Sequence, residues 1–172
     1  LNPAYRWVRP TWSAREPALI ITAYEEKQTR LYRYVLDGEV LSPLPNVETG
    51  AFHGIELVDQ LLYLTGHGSE TSTLMQLRRG SDQPENLGLG PVAAFRASTE
   101  WIAWSRPGSN NVQITPLQGL EGQREIEREG TASDEAFALT GNTLYYLDKE
   151  QLWSVVLPDG QATPVPSKKL PN

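Results

Sequence analysis

Four side chains carry the donor types of a metal site: His53, Glu56 and Asp59 share one short segment, and His67 follows on the next loop. Imidazole nitrogens and carboxylate oxygens are what zinc and its neighbours take as ligands. The spacing, however, matches neither H-E-x-x-H nor a zinc-ribbon pattern, so both histidines are expected on loops, solvated or hydrogen bonded to backbone. A nucleophile is harder still to assemble. The chain has no cysteine, which excludes thiolate chemistry and disulfides, and leaves the redox compartment unread. Ser69 lies in Gly66-His-Gly-Ser-Glu70 and not in the G-x-S-x-G turn between strand and helix that exposes a catalytic serine. The glycines of Gly66-His-Gly68 and Gly88-Leu-Gly90-Pro91 stand at turns, with no helix N-terminus behind them to hold a phosphate. The expected catalytic, cofactor-binding and metal-binding residues are therefore none.

Charge gives a second class of candidate. The net charge is −6, which disfavours a nucleic-acid backbone as partner for this segment, because such binding needs clustered Lys and Arg to displace counterions. Glu25 and Glu26 beside Lys27, and Glu125, Glu127 and Glu129 interleaved with Arg124 and Arg128, read as solvated hairpin tips. Their functional alternative is a docking surface for a basic partner. Arg78-Arg79 is expected to flank a turn, with an anion site as the alternative.

Strands must position all of these groups. Ala18 to Tyr24 is a β-branched and apolar run, Glu25 to Arg30 reads as a polar turn, and Leu31-Tyr-Arg-Tyr-Val-Leu36 alternates in character. Asp37-Gly38 then reads as a tight hairpin turn leading to a short strand from Val40 to Leu44. The same plan recurs. Leu19, Leu61, Trp101 and Leu144 repeat at about 40 to 43 residues, and Leu31, Leu74, Val112 and Leu152 keep step with them, the spacing of propeller blades. The predicted units are 12–46, 52–88, 92–128 and 136–166 of a single domain spanning 1–172. The best helical stretch, Gln118 to Gly130, is broken by Gly119 and Gly122, so the fold is expected to be all-β. Tyr5, Trp7 and Trp12 among prolines suit an edge strand or lead-in, with Trp12 capping the core, and the tail from Pro166 to Asn172 should fray. Tyr32, Tyr34, Tyr63, Trp101, Trp104, Tyr145, Tyr146 and Trp153 fall on strands, where most should pack between blades and a minority could stack on a ligand.

The phrases LYRYVLDGEVLSPL at 31–44, LWSVVLPDGQATPV at 152–165 and TLYYLD at 143–148 resemble the TolB-like (PD40) β-propeller repeat. The set is most similar to repeats in the periplasmic C-terminal part of membrane-spanning winged-helix regulators of the CadC and ToxR type. The resemblance implies a sensing domain outside the membrane, with DNA binding by a winged helix elsewhere in the polypeptide. The family's S-P-D-G turn is replaced by Trp12-Ser-Ala-Arg-Glu-Pro17 and by Phe95-Arg-Ala-Ser-Thr-Glu100, and the repeat itself brings no catalytic residue.

A small twisted sheet cannot bury both faces alone, so an array of about four blades is expected either to close into a small ring or to leave terminal faces for further chain or a second copy. The expected function is non-enzymatic sensing or protein interaction, with a protein partner or self-association, a small-molecule ligand allowed, no cofactor, and no nucleic-acid or membrane contact by this segment. The alternative is the propeller portion of a prolyl-oligopeptidase-like hydrolase whose catalytic domain lies elsewhere. A free-standing β-sandwich would differ by pairing strands across units. No run is apolar enough to span a bilayer. A start at Leu1 suggests a piece of a longer protein, periplasmic if the resemblance holds.

Overall fold

A computed structural model describes residues 8–25, 28–66, 71–119, 122–129 and 135–166. Its regular elements are sixteen strands: β1 Val8–Trp12, β2 Ala18–Glu25, β3 Gln28–Val35, β4 Val40–Pro43, β5 Ala51–Glu56, β6 Gln60–Thr65, β7 Thr73–Arg78, β8 Glu85–Asn86, β9 Ala94–Ala97, β10 Trp101–Ser105, β11 Val112–Pro116, β12 Arg124–Ile126, β13 Phe137–Thr140, β14 Thr143–Asp148, β15 Gln151–Val156 and β16 Thr163–Pro164. They form four antiparallel meanders of four strands, each sheet made from four consecutive strands. The fold is an all-β, propeller-like array. Both repeating columns fall where the periodicity predicts, on the second and third strands of every sheet. Tyr5, Trp7, Glu26, Lys27, His67, Ser69 and the tail from residue 167, expected to fray, lie outside the described residues.

Contacts gather the sheets into two compact units, Leu1–Val92 and Ala93–Asn172. In the first unit, strand alternation sorts β2 and β3 into two rows. Ile20 opposes Arg33 and Thr22 opposes Leu31, so these four share the face turned to the second sheet, while Ile21 opposes Tyr32 and Leu19 opposes Tyr34 on the other. The core between the sheets holds Ile20, Leu31, Leu44, Ala51, Leu61 and Tyr63. The reverse face gathers Ile21, Ala23 and Tyr32 with Leu19, Tyr34 and Leu41.

The second sheet meets the first at a bulge. Pairing of β5 with β6 slips between Phe52 and Gly54, and His53 takes the left-handed conformation at φ 52°. An extra residue kinks the strand, as bulges do. A Cβ on Gly54 would stand 2.8 Å from Leu31 Cδ1 and 3.2 Å from Ile20 Cγ2, closer than packed atoms sit. Hydrogen bonds fix that approach: Thr11 Oγ1 donates to the Gly54 carbonyl at 2.5 Å, and the His53 N–H donates to Thr22 Oγ1 at 3.0 Å.

In the second unit, Ala103, Val112 and Ile114 face Phe137, Leu144, Tyr146 and Val155. Trp104 is fully buried, its indole N–H donating to Thr115 Oγ1 at 3.1 Å. β14 and β15 turn through Lys149-Glu150 alone, both at positive φ (46° and 67°), the primed geometry that suits the twist of a hairpin.

Three local expectations change. Asp37-Gly38 does not make a two-residue turn; β3 ends at Val35 and β4 begins at Val40, and positive φ falls on Gly38 and Glu39 within a four-residue connection. Gln28 to Arg30 belong to β3 rather than to a turn, since pairing continues to Glu25 and Gln28. Trp12 does not cap the core. It ends edge strand β1 opposite Leu19 and is 68% exposed, because no described residue covers it there.

Two outcomes follow from this packing. Gly54→Ala should destabilise the chain by about 1 to 3 kcal/mol through overpacking, and Leu31→Val in the same chain should return part of that loss in a urea double-mutant cycle. Additive losses would refute the contact. Burial, with the Glu48 carboxylate adding and the Glu48 backbone N–H opposing, pushes the Tyr63 phenol up to about 12. An unfolded tyrosine ionises near pH 10, so the stability from keeping Tyr63 neutral is whole below about pH 10 and is lost as pH rises toward 12. Tyr63→Phe should flatten the fall in unfolding free energy over that window. An unchanged slope in urea titrations at pH 9 to 11.5 would exclude this origin.

Candidate ligand cleft between the first two sheets

Past Glu56, at the end of β5, lies a cleft of about 260 Å³ inside the first unit. Its floor is apolar, from Leu44, Leu57, Leu61 and Leu77, and Val58 adds an exposed edge. Its walls carry four arginines, Arg15, Arg33, Arg78 and Arg79, with Glu56 and Asp82 as the carboxylates of the lining.

Local structure explains each placement. Arg33 is in phase with Leu31 along β3, so strand alternation turns it to the second sheet with the apolar row. There it pairs with Glu56, which is 4% exposed at the end of β5, and Ser13 Oγ donates to the same carboxylate at 2.6 Å. The Glu56 carbonyl also accepts the Ala14 N–H at 3.0 Å, which ties the lead from β1 to β2 over the cleft's inner end. Arg33 Nε is sealed from solvent without a hydrogen-bond acceptor, with a Glu16 carboxylate oxygen 3.6 Å away. Burial draws the Arg33 pKa below its ordinary value; Glu16 opposes the shift and the neighbouring Arg15 charge adds to it. The guanidinium nonetheless stays charged at any physiological pH.

Arg78 closes β7 and Arg79 follows in its turn, where the Arg79 N–H donates to the Asp59 carbonyl at 2.7 Å. The doublet flanks a turn, as expected, and also lines the cleft. Arg78 shares an exposed ion pair with Glu85 at 3.6 Å, whereas the guanidiniums of Arg15 and Arg79 have no ion pair among the described residues. Across the mouth, Asn46 Nδ2 donates to Asp82 Oδ1 at 3.1 Å.

The other candidates separate. His53 is buried in the bulge on a strand and not on a loop, Glu56 is engaged by Arg33 and Ser13, and Asp59 is exposed at the turn between β5 and β6. Among the described residues no three His, Asp or Glu side chains gather as a metal site. The segment from 124 to 129 is not a hairpin tip. Arg124 to Ile126 form the edge strand β12, and the two arginines turn inward. Arg124 donates to the carbonyls of Pro158 at 2.6 Å and Gly160 at 3.0 Å, and Arg128, 4% exposed, donates to the Asn110 and Ala136 carbonyls. The carboxylates stay outside: Glu125 accepts from Asn111 and Glu129 pairs with Lys149. Side-chain hydrogen bonds from Gln113 and Asn111 hold the Glu125 carboxyl below its usual range.

Sequence reading passed over Arg33 and Arg15. The signal for Arg33 was present, a charged residue in phase with the buried row of a strand; for Arg15 there was none, because it lies on a loop that tertiary packing brings alongside.

No protein-family model matches this chain, and no curated protein matches it. Solved structures do. TolB from Acinetobacter baumannii is similar over 94% of this chain and 43% of its own, with TM-score 0.63 and 10% identity. Hsv2 from Kluyveromyces lactis is similar over 91% of this chain and 48% of its own, with TM-score 0.60 and 14% identity. A chain of a nidogen/laminin complex gives TM-score 0.53 at 10% identity, over 90% of this chain and 77% of that one. The likeness shows the fold, a TolB-like and WD40-like propeller architecture. The chain spans about half the length of TolB and Hsv2.

The buried pair gives a direct test. Glu56→Ala should cost about 3 to 5 kcal/mol in urea unfolding, because it strands the Arg33 charge in the cleft wall. Ser13→Ala should cost only about 1 kcal/mol. Equal, small effects would mean that solvent reaches Arg33 freely.

Proposed function

We propose that this chain is a non-enzymatic sensing or protein-interaction propeller domain, working as the periplasmic part of a membrane-anchored winged-helix regulator of transcription. The observation that carries the interaction reading is the outer face of the fourth sheet. Alternation puts Phe137, Leu144, Tyr146 and Val155 into the core and leaves Tyr145, Leu147, Leu152 and Val156 on the opposite row. Leu147 and Leu152 are directly opposed and 42% and 38% exposed, and Val156 is 59% exposed. An apolar row left exposed among the described residues lowers its free energy by meeting another surface, which is what recognition between proteins uses. The regulator context rests on the resemblance of the LYRYVLDGEVLSPL phrase and its relatives to the repeats of that family.

Leu147→Glu with Val156→Glu should abolish association measured by light scattering and by crosslinking in cells, while shifting unfolding by no more than about 0.5 kcal/mol, as exposed substitutions do. A parent chain that is strictly monomeric and recovers no crosslinked partner would overturn the interaction reading. A reporter fused to the domain within the full-length protein should be active only in the periplasm; cytoplasmic activity would overturn the proposed compartment.

A further inference from the structure

We infer that the cleft between the first two sheets is a binding site for a small organic monoanion, a carboxylate on a compact apolar body, with Arg15 and Arg79 as its charge partners. This rests on the reading of the domain as one that binds rather than catalyses.

Charge distribution is the first support. A chain of net charge −6 places four of its fifteen basic residues around one cleft. Clustered like charges raise the free energy of an empty site, and an anion relieves that repulsion. The crowding is visible in the pressure of Arg15 on Arg33.

The pairing pattern narrows the charge of the ligand. Arg33 is committed to Glu56 with Glu16 nearby, and Arg78 is shared with Glu85. Arg15 and Arg79 hold no such partner among the described residues, and both are exposed at the cleft. Glu56 and Asp82 in the lining oppose a dianion, and Asp82 is already engaged by Asn46. A single carboxylate suits that balance, and its two oxygens match the planar fork of a guanidinium.

Size and polarity narrow the body. About 260 Å³ holds roughly nine water volumes of 30 Å³, or one molecule the size of an amino acid. The floor of Leu44, Leu57, Leu61 and Leu77 rewards an aliphatic or aromatic group and offers nothing to a bare inorganic ion.

N-acetyl-L-leucine, its uncharged amide N-acetyl-L-leucinamide, and inorganic phosphate separate these contributions in NMR titrations of the whole chain at low salt. The acid should shift the side-chain Nε–H signals of Arg15 and Arg79 and the backbone amides of Leu57 and Gly80. Arg15→Gln or Arg79→Gln, both exposed and outside any ion pair, should each weaken binding about tenfold, the worth of one charge-assisted hydrogen bond. The amide should bind at least about tenfold more weakly than the acid on the same grounds.

Equal binding of acid and amide would overturn the charge assignment. Phosphate binding as tightly as the acid would overturn the organic ligand, and no binding by any of the three would overturn the site. The variants on the fourth sheet do not touch this cleft, so loss of association there and loss of acid binding here are read independently.

Discussion

Gly54 lacks a side chain at a point where the second sheet packs directly on the first, with Leu31 and Ile20 against its backbone. Much of the first unit follows from that close approach. The bulge at His53 gives the strand the bend it needs, Thr11 and Thr22 hold the two backbones together, and Glu56 is carried inward to meet Arg33. A sheet of four short strands has little interior of its own, so apolar burial depends on a neighbour at packing distance. The same close packing that excludes water from Leu31 and Ile20 also desolvates the charged row beyond them. The cleft is what remains where the two sheets diverge past the buried ion pair.

Arginine is used in two opposite ways along this chain. In the second unit, Arg124 and Arg128 have backbone carbonyls within reach, and each guanidinium is consumed in joining an edge strand to a turn or loop. In the first unit, Arg15 and Arg79 lie exposed on turns that line the cleft, and their guanidiniums have no ion pair among the described residues. The difference lies in the supply of acceptors and not in residue type. A fork of five N–H donors without an acceptor is satisfied by water when empty and exchanges that water for a ligand oxygen at modest cost.

The strands were legible because two columns of residues recur in step, and all eight positions lie on the second or third strand of a sheet. Their faces were less legible. Leu152 belongs to the column of Leu31, Leu74 and Val112, yet those three are buried and Leu152 is 38% exposed. A strand period of two turns any single-residue offset in alignment into a change of face, so a repeat of about forty residues locates strands without fixing which row is inside. Turns divided similarly. Asp37-Gly38 carries a strong hairpin signature and forms a longer connection, while Lys149-Glu150 carries none and makes the two-residue turn. There, pairing through Asp148 and Gln151 forces left-handed backbone on residues that do not favour it, so sheet register outweighs local preference. Trp12 shows the limit of composition. An indole seeks burial, but its position on an edge strand decides whether any surface is there to receive it.

These placements support the proposal that the cleft recognises an anion. Glu56, the most deeply buried carboxylate of the lining, is occupied by Ser13 and Arg33, and a general base needs a free lone pair aimed at a substrate proton. The groups left with open valences are guanidiniums, which donate hydrogen bonds and hold charge without exchanging protons near neutral pH. An apolar floor beneath such donors would select a ligand by size and charge. Glu56 is spent instead on keeping Arg33 inside the wall, and the guanidiniums exposed at the cleft outside any ion pair among the described residues are those of Arg15 and Arg79.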